Sequence, residues 1–294
     1  MLNAPTIKKS ENLPCVDQQT SKKLRADIQA LRAVAVLAVV IYHFWPNVLP
    51  GGFIGVDIFF VLSGFLVGGF LIRAGSRGEP INLLGFYARR IKRILPSAYI
   101  TIALTMVFLW VLVPINRWEN ASREAIASII YLQNLLLAQN SVDYLAQDAP
   151  DSLFRHFWSL SVEEQFYIVI PLLVLLCAMV AKRAGWSPKI IVGGSVALLV
   201  CASFIYSQIQ VSAGNPAAYF TLTSRLWELG VGALLVLLPA HVLRRRMRFS
   251  ALLLGWGAIV WALFFTDPTA FPGGGRAAAC LRNSIAALPG IRCY

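Results

Sequence analysis

Apolar runs recur along this chain, each close to the ~20 residues a helix needs to cross the hydrocarbon core of a bilayer. They read as Ile28–Trp45, Gly52–Ile72, Ile94–Val113, Phe166–Val180, Ile190–Ile209, Tyr219–Leu238 and Phe249–Thr266. A further apolar segment, Ala125–Leu137, is short and holds Gln133 and Asn134; that length suits a re-entrant or interfacial piece better than a span. The pattern predicts an all-α, polytopic membrane helix bundle with about seven spans.

Composition agrees with the pattern and charge orients it. Of 294 residues, 57% are hydrophobic and 14% charged, and the mean hydropathy is +0.66; a soluble domain carries roughly 25% charged residues, so a water-soluble globule is excluded. The 26 Lys and Arg against 14 Asp and Glu give a net charge of +12. That excess lies between the runs: Lys22, Lys23 and Arg25 precede the first; Arg73, Arg77, Arg89, Arg90, Lys92 and Arg93 follow the second; Lys182, Arg183 and Lys189, then Arg244, Arg245, Arg246 and Arg248, lie farther on. All of them fall on one face only if Ala125–Leu137 does not cross, and by the positive-inside rule that face is cytoplasmic, with the N-terminus inside. The basic balance thus reports topology, and no nucleic-acid partner is expected. The first run lacks a small-residue cleavage site and reads as a retained span.

The organisation expected is a cytoplasmic tail over 1–24, a transmembrane domain over 25–270 and an atypical tail over 271–294. The last, GGGRAAACLRNSIAALPGIRCY after Phe271, reads as a disordered tail or as a chain cut or read out of frame on its way into another helix. The five cysteines show no CxxC spacing, so neither a disulfide framework nor a zinc site is expected, and nothing demands a metal.

Ionisable residues inside spans are costly, and they mark functional sites by default. Arg32 and His43 in the first run are eleven residues apart, hence about 20° apart around a helix and roughly 16 Å apart along it; Arg25 and Gln29 fall on the same stripe. A topogenic arginine with an interfacial histidine is the plainer alternative. In GGFIGVDIFFVLSGF, Gly51, Gly52, Gly55 and the pair Ser63-Gly64 suit close helix packing, while Asp57 is functional or paired with an arginine. Arg90 and Arg93 in FYARRIKRILP are spaced i, i+3, so both guanidinium groups can fork onto one phosphate; topology alone is the other reading. RHFWSLSVEEQFY gathers His156, Trp158, Glu163 and Glu164 at the mouth of the fourth span. There Ser161-x-x-Glu164 fits a capping box, which leaves Glu163 unexplained. Arg225 and Glu228 in SRLWEL stand one turn apart and can form an intramembrane salt bridge.

The blocks RADIQALRAVAVLAVVIYH, GGFIGVDIFFVLSGFLV, FYARRIKRILP, HFWSLSVEEQFYIVIP and RLWELGVGALL, in this order, resemble the acyltransferase 3 family of bacterial membrane O-acyltransferases, particularly those that modify surface polysaccharides. The match covers about Arg25 to Pro239. The resemblance implies an acyl-coenzyme A co-substrate, acetyl above all, on the cytoplasmic side. It also implies a carbohydrate or glycolipid hydroxyl as acceptor, in lipopolysaccharide or another surface polymer, and residence in the bacterial inner membrane. The family's Arg-x10-His motif falls on Arg32 and His43, and its Arg-x-x-Arg motif on Arg90 and Arg93.

These positions allow a mechanism. Arg90 and Arg93 bind the coenzyme A phosphates, and the pantetheine arm threads between the helices. His43 then takes the proton of the acceptor hydroxyl, a task suited to imidazole with its ordinary pKa of about 6.5. Arg32 stabilises oxyanion charge or binds the donor, and Asp57 or Glu163 orients the imidazole or the sugar. Glu164, Arg225 and Glu228 complete the substrate side. An acyl-histidine intermediate is a variant of the same scheme. Members of the family usually carry more spans than those read here, and many add a periplasmic hydrolase domain. An inactive truncated fragment is therefore a competing expectation, and a membrane transporter a second, although no internal repeat of the kind transporters carry is found.

Overall fold

In hydrocarbon every backbone amide must find its partner within its own segment or a closed sheet. A computed structural model of the protein describes residues 26–142, 152–238 and 245–266, and no strand occurs among them. The helices are α1 (Ala26–Phe44), α2 (Gly55–Ser63), α3 (Gly69–Ser76), α4 (Leu83–Leu112), α5 (Trp118–Ile129), α6 (Gln133–Val142), α7 (Phe157–Ala184), α8 (Pro188–Ser212), α9 (Leu222–Leu234) and α10 (Arg245–Phe265). Among the described residues, six stretches are long and apolar enough to span a membrane: α1, Gly52–Ser76, α4, α7, α8 and Pro216–Leu237. In α10 the apolar part, Leu253–Phe265, is shorter. This is a multi-pass membrane helix bundle. The expected tails, 1–24 and 271–294, lie outside the described residues, as does Arg25.

Two spans begin earlier than the hydropathy pattern predicts. The third starts at Leu83 instead of Ile94, because Asn82 accepts a hydrogen bond from the Gly85 amide at 2.8 Å and caps a helix that already contains the arginine cluster. The fourth starts at Phe157 instead of Phe166. This overturns the capping-box reading of Glu164: Ser161 is inside the helix and its hydroxyl donates to the Phe157 carbonyl at 2.9 Å. Both Glu163 and Glu164 are thereby placed on a continuous helix.

The segment Ala125–Leu137 divides between α5 and α6. Tyr131, at φ +57°, is the described non-glycine residue in the left-handed region. Gln165 donates to its carbonyl at 3.0 Å and to Asn134 Oδ1 at 2.8 Å, and Asn134 in turn donates to the Phe220 carbonyl at 3.1 Å. The two amides noted in this run thus have different fates: Asn134 ties the turn to α7, and Gln133 is buried beside it.

Small residues bring the helices together, as van der Waals packing in lipid requires. A Cβ on Gly52 or Gly55 would overlap the α1 carbonyls of Ala38 or Ala35, and one on Gly64 or Gly232 would overlap the carbonyls of Leu229 or Val61. Between α2 and α3 the chain takes a π-helical turn over Gly64–Gly68. Gly64→Ala is expected to cost about 1–3 kcal/mol through overpacking, seen as a lower melting temperature in detergent. Gly194→Ala, where nothing lies within 4 Å, is the control and should not lower it. Equal melting of the two variants would show that the α2–α9 contact yields.

Candidate active site

A cavity of about 420 Å³ opens between α1, the α2–π segment, α4 and α7. On α4 the i, i+3 spacing turns Arg90 and Arg93 onto its wall, followed by Ser97 and Thr101. These two hydroxyls donate to their own helix, to Ile94 O at 3.0 Å and Ser97 O at 2.9 Å. Arg32 faces the same space from α1, and Ser63 from the end of α2. The π turn begins directly after Ser63, and such turns are frequent at functional sites.

α7 supplies the facing wall. His156, Leu160, Glu163 and Tyr167 follow one another at helical spacing along it. The Tyr167 hydroxyl donates to Glu163 Oε2 at 3.3 Å. Its ring lies under the Arg90 guanidinium, 3.4 Å from carbon to centroid. Glu164, one residue round the helix, reaches Arg90 Nη2 at 3.6 Å. Arg90 is therefore held from below by a π face and from the side by a carboxylate, which leaves Arg93 and Arg32 as the less constrained cations of the wall. Tyr131 at the α5–α6 turn approaches the same group: burial first, and then the nearby Glu164 and Tyr99, push its hydroxyl up to about 12.

His43 ends α1 and is exposed; its Nδ1 lies 2.8 Å from the Val39 carbonyl. A carbonyl only accepts, so Nδ1 carries the hydrogen and the lone pair of the neutral ring is on Nε2. His156 stands at the N-cap of α7 with its ring 4.7 Å from that of Phe157. Burial first, and then the proximity of His43, push its imidazole below the ordinary range. The two histidines are thus near enough to influence each other, and of the two it is His156 that lines the cavity.

The remaining sequence candidates assemble elsewhere. Arg225, fully buried, donates from Nη1 to Asp57 Oδ1 at 3.0 Å and Glu228 Oε1 at 2.6 Å, and from Nε to the Tyr219 carbonyl at 3.2 Å. The rings of Tyr219 and Trp158 flank its guanidinium at 4.8 and 5.8 Å. None of these three charged residues lines the cavity. Of the nine site candidates, Arg32, Arg90, Arg93 and Glu163 line one space, Glu164 braces it, His43 stands beside it, and Asp57, Arg225 and Glu228 form a separate ion cluster. Ser63 was read from sequence as a packing residue and Tyr167 was not singled out; the spacing of Tyr167 four residues after Glu163 is the signal that could have found it.

A family model described as an acyltransferase domain matches residues 25–287. The O-acetyltransferase OatA of Staphylococcus aureus is 34% identical over 233 residues, covering 78% of this chain and 37% of that protein. The peptidoglycan O-acetyltransferase OatA of Listeria monocytogenes is 32% identical over 216 residues, 73% of this chain and 34% of the relative. The chain therefore spans about a third of the length of these curated relatives. No solved structure matches it.

Proposed function

The chain belongs to this acyltransferase family, and from that premise we propose that it moves an acyl group, acetyl above all, from acyl-coenzyme A to a hydroxyl of a cell-surface carbohydrate. The observation that carries the reading is one cavity lined by Arg90 and Arg93 from α4 and Arg32 from α1, with His156 and Glu163 of α7 on its facing wall. Guanidinium forks suit the phosphates of coenzyme A, and the acetyl group follows the relatives' designation as O-acetyltransferases. The positive-inside rule assigns the basic helix ends to the cytoplasm, where the donor is made, in the bacterial inner membrane. The acceptor hydroxyl then comes from the opposite face, from a glycan such as peptidoglycan or from a glycolipid.

In the reaction, Nε2 of His43 removes the hydroxyl proton while the oxygen attacks the thioester carbonyl carbon. The carbonyl π electrons move onto its oxygen. They return as the carbon–sulfur bond breaks, and coenzyme A leaves as a thiolate that takes the proton back from His43. Arg32 sits where it can bind the donor or balance oxyanion charge, and Glu163, held by Tyr167, positions the reacting groups.

The test is transfer of label from [14C]acetyl-coenzyme A to a soluble glycan oligosaccharide by the protein in proteoliposomes. Incorporation dependent on both substrates is expected; donor binding without any transfer would overturn the reading. Arg93→Ala, which breaks no described ion pair, should raise the KM for acetyl-coenzyme A on the order of ten- to a hundredfold, the loss of one charge-assisted phosphate contact. An unchanged KM would return Arg93 to topology.

A further inference from the structure

We propose that His156 is a second working imidazole of the transfer site, donating a hydrogen bond to the thioester carbonyl oxygen while His43 takes the acceptor proton. The inference rests on the reading of the reaction given above. Three observations carry it.

First, His156 lines the cavity itself, whereas His43 is beside it. It precedes Glu163 by seven residues, about two helical turns or roughly 10 Å, and so shares its face of α7. Second, its ring nitrogens have no hydrogen-bond partner among the described residues; its ring contact is with Phe157 at 4.7 Å. A donor is therefore left on the wall of the cavity of about 420 Å³. Third, the two imidazoles are near enough for the charge of one to oppose that of the other.

The chemistry follows from the difference between them. Although His156 is exposed, partial desolvation by the protein around it, the proximity of His43 and its position at a helix N-terminus all favour its neutral form. A neutral imidazole at a helix N-terminus is a suitable electrophile: it offers an N–H to a developing oxyanion and does not compete for the proton being transferred. When the acceptor oxygen bonds to the carbonyl carbon, the π pair moves to the carbonyl oxygen, which accepts a hydrogen bond from the His156 N–H. Collapse restores the double bond, expels the thiolate and leaves His156 unchanged. His43 moves the proton, and His156 carries no net bond change.

The experiment compares His156→Leu and His156→Gln with wild type in the proteoliposome assay, each checked for membrane accumulation and monodisperse gel filtration. His156→Leu should lower kcat by about 10²–10³-fold, the usual cost of one oxyanion donor, with the KM for acetyl-coenzyme A unchanged. His156→Gln, which keeps an N–H donor, should recover most of that rate. His156→Ala replaces the leucine variant if leucine fails to accumulate. A wild-type kcat in the apolar variants, or a glutamine variant as slow as they are, overturns the inference while wild-type transfer keeps the reaction standing. Absence of transfer by the wild type itself overturns both.

Discussion

Arg225→Ala is expected to abolish accumulation of folded protein. The guanidinium is fully buried and is bonded to Asp57, Glu228 and the Tyr219 carbonyl together. Its removal leaves Asp57 and Glu228 facing each other among apolar helices with no cation between them. Breaking a buried ion pair by deleting one partner costs about 3–5 kcal/mol, and here one deletion strands two carboxylates. Because Asp57 comes from α2 and the other two from α9, the loss also loosens two elements that pack through glycine contacts. Glu228→Gln should be far milder, since Asp57 still balances Arg225. The triple variant Arg225→Met, Asp57→Asn, Glu228→Gln should regain accumulation, because replacing a buried ionic group as a unit is often neutral. Gel filtration of detergent extracts and thermal melting read all three. Wild-type accumulation and melting of Arg225→Ala would release the cluster from this structural role and restore Arg225, Glu228 and Asp57 as candidates for the acceptor.

Where local pattern decides, the sequence was informative. The apolar runs, the glycine contacts and the shared face of Arg90 and Arg93 all follow from periodicity and side-chain size. The helix starts at Leu83 and Phe157 were not legible, because Arg89 to Arg93 and Glu163-Glu164 look like loop text when read by hydropathy. In the fold these residues lie inside helices, and one pair of the charges meets: Arg90 stacks on Tyr167 and faces Glu164. Arg225 and Glu228 were legible as a pair because they are one turn apart; for Asp57 pairing with an arginine was one of two open readings, and which arginine was not legible, since it lies 168 residues away in the chain. The π turn after Ser63 was hidden for a similar reason. Glycines in a membrane span announce packing, and at Gly64 packing is what the fold shows, yet the same turn aims Ser63 into the cavity.

His43→Ala should reduce acetyl transfer by about 10²–10⁴-fold, the usual contribution of a placed general base, while leaving the fold intact. The second half of that expectation is what makes the experiment decisive. His43 is exposed, its hydrogen bond is to Val39 of its own helix, and its ring meets Tyr42 only edge-on at 5.7 Å. Truncation therefore opens no cavity and strands no buried charge, so accumulation and melting should match wild type. The kinetic signature should also differ from that of the arginine wall: kcat falls and the KM for acetyl-coenzyme A holds, since proton removal belongs to the transition state and not to donor binding. His43→Gln sharpens the test. Its amide can keep an N–H toward the Val39 carbonyl but has no basic nitrogen, so it should be as inactive as alanine. Wild-type turnover in either variant would remove His43 as the base and pass that role to Glu163, the carboxylate that the same cavity holds against Tyr167.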